Sequence, residues 1–506
     1  MNAENSPSPA PHTDAAAEAT APVAEAAGTT SHDIPLPAGL ATAMAENWEP
    51  APAMPHPASR SGEPAAGAAT FARNRAALSA AFGGQLVVVP AGVLKVRSND
   101  TDYGFRAWSA FSWLTGESVE GAVLVLAPEG TGPGSGHTAA LYLREYEGAG
   151  QPGYFTNRLC GALWVGNVPS VADSASVLGI ATRPLSELGR DLQAHRGRPA
   201  LAPRGIDPAV ESLLPSAAPG RLAEVIDELR LVKDDWEIGQ LQAACDATAR
   251  GFADVAAELP AVLASGGRRG ERWLEGTFWR RARTSGNDVG YGSIVACGQH
   301  ATTLHWVRDD GPVRDGDLVL LDMGVESREL YTADVTRTLP VSGHFSEPQR
   351  RVYDAVRAAQ VAALAAVRPG ADYLAPHQAA MRVLTETLVS WGLLSGAIDE
   401  LLTDQLHRRW TLHSTSHHLG LDVHDCARAR EERYKKGTLE AGMVITVEPG
   451  LYVQPDDELA PAELRGIGVR IEDDVLVTSD GCRVLSAALP TAAVEVEAWM
   501  AGLLHP

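Results

Sequence analysis

The sequence predicts a protein of mixed α/β structure with two folded domains. Its 506 residues exceed what one hydrophobic core supports, since such cores stop growing near about 250 to 300 residues. Strand-like apolar runs alternate with helical stretches in both halves, starting with a helical stretch at 71–82 and strand-like runs at 85–92 and 121–129. We therefore expect an N-terminal domain at 66–225 and a C-terminal domain at 226–506.

Residues 1–65 differ in composition from the rest of the chain. Ala, Pro, Glu, Ser and Thr dominate this segment, which holds few large apolar side chains to offset the entropy lost on ordering. It is predicted to be a disordered Ala/Pro-rich tail. Trp48 and Met54 leave open the alternative that a short piece of it docks on the body of the protein or on a neighbouring subunit.

Charge and composition argue against several classes of protein. A formal net charge of -21 repels phosphate backbones, so nucleic acid is not an expected partner. No apolar run approaches the ~18 residues that a membrane-spanning helix needs, so no membrane partner is expected. The five cysteines are widely spaced, and no basic residue precedes Arg60. Neither a disulfide framework nor a secretory signal is indicated, and the reducing cytoplasm is the predicted location.

The C-terminal half begins with a long helical stretch after residue 236, and the segment 228–238 is the predicted link between the domains. Apolar residues at helical spacing predict two further helices at 350–367 and 377–391, packed on one face of a sheet. The predicted strands of this half are 293–298, 317–324, 330–341, 444–453 and 468–478.

Four carboxylates lie within or directly after apolar strands, where an ionised group is costly unless it is paired or bound to a cation. They are Asp322, Asp334, Glu448 and Glu472. A single acid of this kind is better explained by an arginine partner or a backbone cap. Four together favour a cation site, particularly because a hairpin turning at residues 326–329 brings Asp322 and Asp334 together.

Histidines add to this cluster of acids. His413 and His417 share one face of the chain, His424 follows seven residues later, and His305 is a more distant candidate. One imidazole, from His417, with four carboxylates and no thiolate suits two divalent ions. Mn(II) is the preferred ion, with Mg, Co and Zn as alternatives. The residues alone therefore predict metal-assisted amide hydrolysis.

Six blocks of the sequence resemble the signature motifs of aminopeptidase P, the Xaa-Pro aminopeptidase of the pita-bread-fold metallopeptidases. They are YGSIVACGQHATTLHW, RDGDLVLLDMG, TADVTRTLPVSG, HSTSHHLGLDVHD, VITVEPGLYV and RGIGVRIEDDVLVT. The N-terminal half adds SAFSWLTGE (109–117) and LWVGNVPSVADSASVLGI (163–180). The resemblance implies an α/β domain of the creatinase/aminopeptidase P type followed by a pita-bread catalytic domain.

The same resemblance implies an activity and an active site. The activity is hydrolysis of the N-terminal Xaa-Pro bond of peptides by a hydroxide that bridges two metal ions, in a homodimer or homotetramer. The implied metal ligands are Asp322, Asp334, His417, Glu448 and Glu472. The implied catalytic and substrate-binding residues are His305, His413, His424 and Glu448. Arg470 shares a strand face with Glu472 and is expected to hold the carboxylates in place.

Two aromatic residues are assigned to the substrate pocket. Tyr452 follows Glu448 in the VITVEPGLYV block, and Trp164 lies in the N-terminal block. For Trp164 two alternatives stay open: it reaches an active site, of its own or of a neighbouring subunit, or it lies buried in the core of its own domain.

The chain departs from the family pattern at two points. The connection from Asp322 to Asp334 is one residue longer than the pattern, which a β-bulge would absorb. His418 stands where relatives often carry an aromatic residue such as Trp, and its side chain is expected to point away from that of His417. The competing functions are prolidase, methionine aminopeptidase and a metal-free pita-bread binding module.

Overall fold

A computed structural model describes residues 65–504 except position 152, together with isolated positions between 37 and 49. The predicted tail, including Met54, therefore lies almost entirely outside the described residues. Trp48 is described, and its ring centroid lies 5.4 Å from that of Tyr154 and 6.2 Å from that of Phe155. This residue thus contacts the N-terminal half of the same chain, as the docking alternative predicted.

The N-terminal half is built on a five-stranded mixed sheet. The strands of this half are β1 (Leu86–Pro90), β2 (Val96–Ser98), β3 (Thr101–Asp102), β4 (Val123–Pro128), β5 (His137–Leu143), β6 (Ala181–Pro184) and β7 (Ala200–Leu201). The sheet order is β6-β5-β4-β1-β7, with antiparallel pairs in the middle and a parallel pair at each edge. Strands β2 and β3 form a separate hairpin.

Helices cover both faces of this sheet. They are Ala68–Ala81, Ser109–Thr115, Gly153–Thr156, Ala162–Val165, Val171–Leu178, Leu188–Gln193, Pro208–Leu213 and Leu222–Arg230. Val87 and Val89 pack with Leu78 and Phe111 on one face, whereas Val88 packs on the other. Strand β1, an interior strand of the sheet, is therefore apolar at every position instead of alternating, as is usual for a strand buried on both sides.

The two halves are joined where the helix Leu222–Arg230 passes into a helix that starts at Asp235. Asp234 caps the second helix in a capping box with Glu237. The same Asp234 carboxylate accepts hydrogen bonds from Thr70 Oγ1 at 2.6 Å and Arg73 Nη1 at 2.5 Å. The segment predicted as the link is thus also a contact between the helix Ala68–Ala81 and the C-terminal half.

Two three-stranded antiparallel sheets form the centre of the C-terminal half. The strands of this half are β8 (Asp288–Val289), β9 (Ile294–Cys297), β10 (Leu318–Met323), β11 (Val325–Glu326), β12 (Val335–Pro340), β13 (Val444–Val447), β14 (Gly450–Tyr452), β15 (Gly468–Arg470), β16 (Asp473–Val477) and β17 (Cys482–Val484). The two sheets have the orders β12-β10-β9 and β13-β16-β17. A bridge between Thr336 and Glu472 connects the two sheets.

Helices pack around these sheets. They are Asp235–Ala264, Gly270–Ser285, Glu347–Ala366, Ala375–Ser390, Ile398–Thr403 and Ala493–Leu504. The first two contact each other through Phe252 and Phe278, whose rings meet edge to face at 6.2 Å. The predicted helices at 350–367 and 377–391 are confirmed within three residues. Among the described residues, none of the helices is long and apolar enough to span a membrane.

Two strands predicted as continuous are each broken in two. The run 444–453 forms β13 and β14, and the run 468–478 forms β15 and β16. The breaks fall at Glu448 and Glu472, where the chain leaves one strand pair for another: β13 pairs with β16, and β14 with β15. Pro449 contributes to the first break because it has no N–H for a ladder. Both acids thus stand where the backbone changes direction.

Candidate metal centre

Acids and a histidine from distant parts of the chain meet at the junction of the two C-terminal sheets. One ligand atom each from Asp334, His417 and Glu472 lies within 4.8 Å of the others. His417 Nε2 is 3.3 Å from Asp334 Oδ2 and 3.5 Å from Glu448 Oε1. Asp322, Asp334 and Glu472 are buried. The structure thus brings the predicted ligands together.

The hairpin of β10 and β12 carries two of these acids. Asp322 is paired with Thr336, so Asp334 lies diagonally across from Asp322 at the turn end of β12. The register of β10 with β12 runs without a shift, so the predicted bulge is absent from this ladder. The connection instead turns back tightly after Ser327, with Leu330 in the left-handed region at a φ of 68°.

Arg470 holds two parts of the site. Its Nη2 donates to Asp322 Oδ2 at 2.5 Å, and its Nε donates to Thr336 Oγ1 at 3.1 Å. The Thr336 hydroxyl in turn donates to Glu472 Oε2 at 2.6 Å. One buried guanidinium therefore orients carboxylates from both sheets, one directly and one through a hydroxyl group.

Sequence reasoning missed three residues that hold the ligands. They are Tyr291, whose hydroxyl donates to Asp322 Oδ1 at 2.7 Å, Thr336, and Asp474, whose Oδ2 accepts the backbone N–H of Asp334 at 3.0 Å. Thr336 and Asp474 each follow a predicted ligand by two positions on a strand, a spacing that puts both side chains on one face. Tyr291 is the first residue of the first signature block, and no other feature of the sequence indicated a role for it.

Burial and mutual repulsion dominate the electrostatics of the centre. Burial, with Asp334 and Glu448 adding to it, raises the pKa of Glu472 well above its usual range. Burial also raises the pKa of Glu448 to about 7, against the opposing effect of His417. For His417, burial would lower the pKa, but Asp334 and Glu448 raise it to about 9.

These shifts describe buried acids whose negative charge exceeds the positive charge of Arg470 and His417 beside them. Divalent cations would supply the missing positive charge, and four carboxylates with one imidazole and no thiolate are donors that hard or borderline cations accept. His417 is oriented for this purpose, because its Nδ1 lies 3.1 Å from the backbone oxygen of His418 and leaves Nε2 facing the acids. The residues present therefore fit a divalent metal centre.

Known proteins share this fold and sequence. A family model described as Metallopeptidase family M24 matches residues 239–479, and one described as Aminopeptidase P, N-terminal domain, matches residues 71–200. Xaa-Pro aminopeptidase 1 of Streptomyces coelicolor is 54% identical over 445 residues, which cover 87% of this chain and 89% of the relative.

The chain belongs to the Xaa-Pro aminopeptidase family.

Solved structures of family members superpose on this chain. Escherichia coli aminopeptidase P with the inhibitor Pro-Leu has a TM-score of 0.76 at 31% identity, covering 86% of this chain and 98% of that one. A Pseudomonas aeruginosa aminopeptidase has a TM-score of 0.75 at 32% identity, with the same coverage. The predicted aminopeptidase P N-terminal domain and pita-bread C-terminal domain are thereby confirmed.

Family membership also confirms the predicted activity. The enzyme is a metallo-aminopeptidase that acts on Xaa-Pro bonds of peptides, and it works with divalent metal ions. The relatives are named Xaa-Pro aminopeptidases, and they align with this chain over most of their length. This favours the Xaa-Pro aminopeptidase function over the prolidase, methionine aminopeptidase and binding-module alternatives.

The three further histidines predicted for this family member gather beside the acids. His424 packs edge to face against the ring of His417, with centroids 4.4 Å apart. His413 Nδ1 lies 3.5 Å from Glu448 Oε2. Burial, followed by Arg470, lowers the pKa of His413 to about 4, and burial, followed by His417, lowers the pKa of His424. His305 is close enough to contribute to both shifts.

The two aromatic residues assigned to the substrate pocket lie in different environments. Tyr452 is buried, and its hydroxyl accepts from Arg470 Nη1 at 2.9 Å and lies 2.7 Å from His413 Nε2. Trp164 is 49% exposed, so the alternative of a buried core residue is wrong. Its indole N–H donates to the Phe155 carbonyl, and Arg158 lies over its ring. A pocket role for Trp164 stays a prediction.

His418, the second departure from the family pattern, packs between two tyrosines. Its ring stacks on Tyr373 with centroids 5.4 Å apart and meets Tyr434 edge to face at 4.6 Å. Burial lowers its pKa to about 3, so the ring is neutral. A neutral imidazole thus fills the space of an aromatic ring next to His417 but outside the cluster of acids.

Proposed function

We propose that two divalent cations, preferably Mn(II), bind to five residues of this enzyme and that hydrolysis of the Xaa-Pro bond takes place there. These residues are Asp322, Asp334, His417, Glu448 and Glu472. The observation that carries the proposal is the convergence of Asp334, His417 and Glu472 within 4.8 Å, with the other two acids beside them. An oxygen-rich set with one imidazole suits Mn(II).

When bound, two divalent ions supply a nucleophile from water at neutral pH, polarise the scissile carbonyl group and hold the free amine of the peptide. Glu448 is placed to move the proton, because its carboxylate lies between the acids and the histidines, 3.5 Å from both His413 Nδ1 and His417 Nε2. It takes the proton of the attacking water and delivers it to the proline nitrogen as that nitrogen leaves.

The histidines beside the acids provide hydrogen bonds, and the lowered pKa values of His413 and His424 favour their neutral form. His424 donates to the carbonyl oxygen as negative charge develops there, and a donor that is already in place does this without reorganisation. His413 and His305 position the carbonyl group and the proline side of the peptide. Arg470 and Tyr452 keep this arrangement, since one is bonded to Asp322 and the other to His413.

Selectivity for proline at the second position has a chemical basis. The Xaa-Pro bond is a tertiary amide without an N–H group, so a site that requires this donor rejects it, whereas an apolar surface for the ring selects it. We propose Trp164 as one such surface, in this active site or in that of a neighbouring subunit. Its half-exposed ring supports this role.

We further propose a homodimer or homotetramer working in the cytoplasm. The exposed apolar side chains of Leu163, Trp164 and Val165 support self-association, and the five free thiols support a reducing compartment. The proposed domains remain 66–225 and 226–506, after a tail at 1–65. The family models that match 71–200 and 239–479 support this division.

The test is cleavage of Arg-Pro-Pro and of Ala-Pro by the purified enzyme with Mn(II), before and after removal of metal by a chelator. We expect metal-dependent release of arginine from the tripeptide. An Asp334→Asn variant should lose this activity, whereas Asp354→Asn, a control at an exposed aspartate, should keep it. Cleavage of Ala-Pro alone would indicate a prolidase, and no cleavage of either peptide would favour a binding module.

A further inference from the structure

A buried glutamate outside the metal centre binds the loop that carries His305. Glu271 is the second residue of the helix Gly270–Ser285 and is 0% exposed. Its two carboxylate oxygens accept four hydrogen bonds from the segment 297–311. The donors are Cys297 N at 2.8 Å, His300 Nδ1 at 2.7 Å, Trp306 Nε1 at 2.9 Å and Gly311 N at 2.5 Å.

These contacts lie on both sides of His305 in the chain. The ring of Trp306, its direct neighbour, stacks on His300 with centroids 3.9 Å apart and an interplanar angle of 21°. The Arg308 guanidinium lies over the same indole at 4.3 Å, and Arg272 Nη2 donates to the Arg308 carbonyl at 3.0 Å. The first turn of one helix thus organises the whole loop.

His305 depends on this loop because its own side chain is exposed. An exposed imidazole has little packing to fix its position, so the backbone that carries it must do so. The side-chain hydrogen bonds of Glu271 join both ends of the loop to one helix. A negative charge at the start of a helix stabilises that helix without hydrogen bonds to a distant segment. Helix stability alone therefore does not explain the four donors that Glu271 binds.

We propose that Glu271 is a positioning residue of this peptidase, which acts by holding His305 beside His413 and His424. The inference rests on the substrate-binding role proposed for His305. Replacing Glu271 with Gln keeps the volume of the side chain but turns one acceptor oxygen into an NH₂ group, which then faces N–H donors of the loop. A displacement of about 1 Å at a substrate-positioning group costs up to about 100-fold in rate.

The test is a double-mutant cycle of Glu271→Gln and His305→Ala, with kcat/KM measured on Arg-Pro-Pro in the presence of Mn(II). If Glu271 acts through His305, its replacement lowers kcat/KM by about tenfold or more in the wild-type background and by less than about twofold in the His305→Ala background. Glu275→Gln, one turn along the same helix, is the charge-matched control and should leave kcat/KM unchanged.

Trp306→Phe serves if Glu271→Gln does not fold, because it deletes one donor to Glu271 and keeps the ring stacked on His300. Its smaller loss of kcat/KM should also vanish in the His305→Ala background. Equal losses in both backgrounds, or full activity of Glu271→Gln, would overturn the positioning role. Full activity of the His305→Ala variant would overturn the positioning role as well. If cleavage by that variant still depended on metal, the proposed metal-dependent function would stand.

Discussion

Arg106 and Glu326 form an ion pair between the two halves of the chain, with Arg106 Nε 2.6 Å from Glu326 Oε2. The same guanidinium donates to the carbonyl oxygens of Leu330 and Leu421. Glu326 and Leu330 lie in the connection between the two aspartate ligands, and Leu421 lies just before His424. The N-terminal half therefore braces two segments that carry proposed active-site residues.

Replacing Arg106 with Met should weaken both stability and catalysis. Glu326, whose side chain is 4% exposed, would keep only Asn287 as a polar partner in the described part of the chain. Loss of the pair is expected to cost about 2 kcal/mol in the free energy of unfolding and about tenfold in kcat/KM. Urea unfolding and peptide kinetics measure the two effects. Arg190→Met, at an exposed ion pair, should change neither stability nor kcat/KM. An equally small effect of Arg106→Met would show that the Arg106–Glu326 pair is dispensable.

Tyr452→Phe should lower activity by releasing His413. The Tyr452 hydroxyl accepts from Arg470 Nη1 and lies 2.7 Å from His413 Nε2. Its removal leaves a buried N–H of Arg470 without its acceptor and frees the His413 imidazole. We expect about a tenfold fall in kcat/KM and a loss of about 1 kcal/mol in stability. Tyr142→Phe removes a comparable hydroxyl, bonded to Asp191, and should leave kcat/KM intact. A Tyr452→Phe enzyme with wild-type kinetics would contradict the prediction.

Metal binding should stabilise the fold as well as permit catalysis. Because the clustered acids repel one another without a cation, a ligand that binds only the folded state raises its stability, by about 2.7 kcal/mol at a concentration 100 times Kd. We expect Mn(II) to raise the Tm of the chelator-treated enzyme by about 5 °C or more. Glu472→Gln removes one acid and should lose this increase. An unchanged Tm of the wild-type enzyme on addition of Mn(II) would count against the site.

Asp425 should give the fold a dependence on acid pH. Burial would raise its pKa, but Arg230 and Lys233 lower it to about 2. Since the pKa in the unfolded chain is about 3.9, the unfolded chain takes up the proton first as the pH falls. The stabilisation, about 2 kcal/mol, is present above the unfolded pKa and is lost as the pH falls through the folded pKa.

Comparison with Asp425→Asn isolates this effect. The difference in the free energy of unfolding between wild type and variant should be largest at pH 6 and shrink by about 1 kcal/mol by pH 3. Urea unfolding at pH 6, 5, 4 and 3 measures it. Asp354→Asn, at an exposed position, should show no such trend. A difference that stays constant over this range would contradict the assignment.

His418→Phe should stabilise the enzyme. Neither ring nitrogen of His418 has a hydrogen-bond partner among the described residues, and the side chain is 1% exposed. A phenyl ring keeps the contacts with Tyr373 and Tyr434 without burying two unpaired polar atoms, so we expect a gain of about 1 kcal/mol in urea unfolding. His418→Asn, which keeps polar atoms and loses the ring, should destabilise. A less stable His418→Phe protein would mean that a buried partner holds the imidazole.

Much of the fold and of the candidate site was predictable from local patterns. The strand around Asp322 and the helices Glu347–Ala366 and Ala375–Ser390 follow from apolar periodicity. The four acids stood out because charged groups inside apolar strands need a compensating partner, and the histidines stood out by their spacing. The breaks at Glu448 and Glu472 were not predicted, since short apolar runs lie close by on both sides of each acid and resemble the two parts of one strand.

The residues that support the site could not be predicted from the sequence, for a related reason. Thr336, Asp474 and Glu271 are ordinary strand and helix residues by sequence. Their roles arise from contacts across 136, 140 and up to 40 positions of the chain. Arg106 is a similar case, because its partners in the C-terminal half lie 220 or more positions away.

The sequence by itself determined the family, the class of chemistry and the residues able to carry it, because ligand types and strand patterns are local properties of the chain. The tertiary structure decided which atoms meet. Only folding brings Arg470 against Asp322, places His418 between two tyrosines and leaves Trp164 at the surface. The physical reason is that hydrogen bonds and pKa shifts act over a few ångströms in space, whatever the separation along the chain.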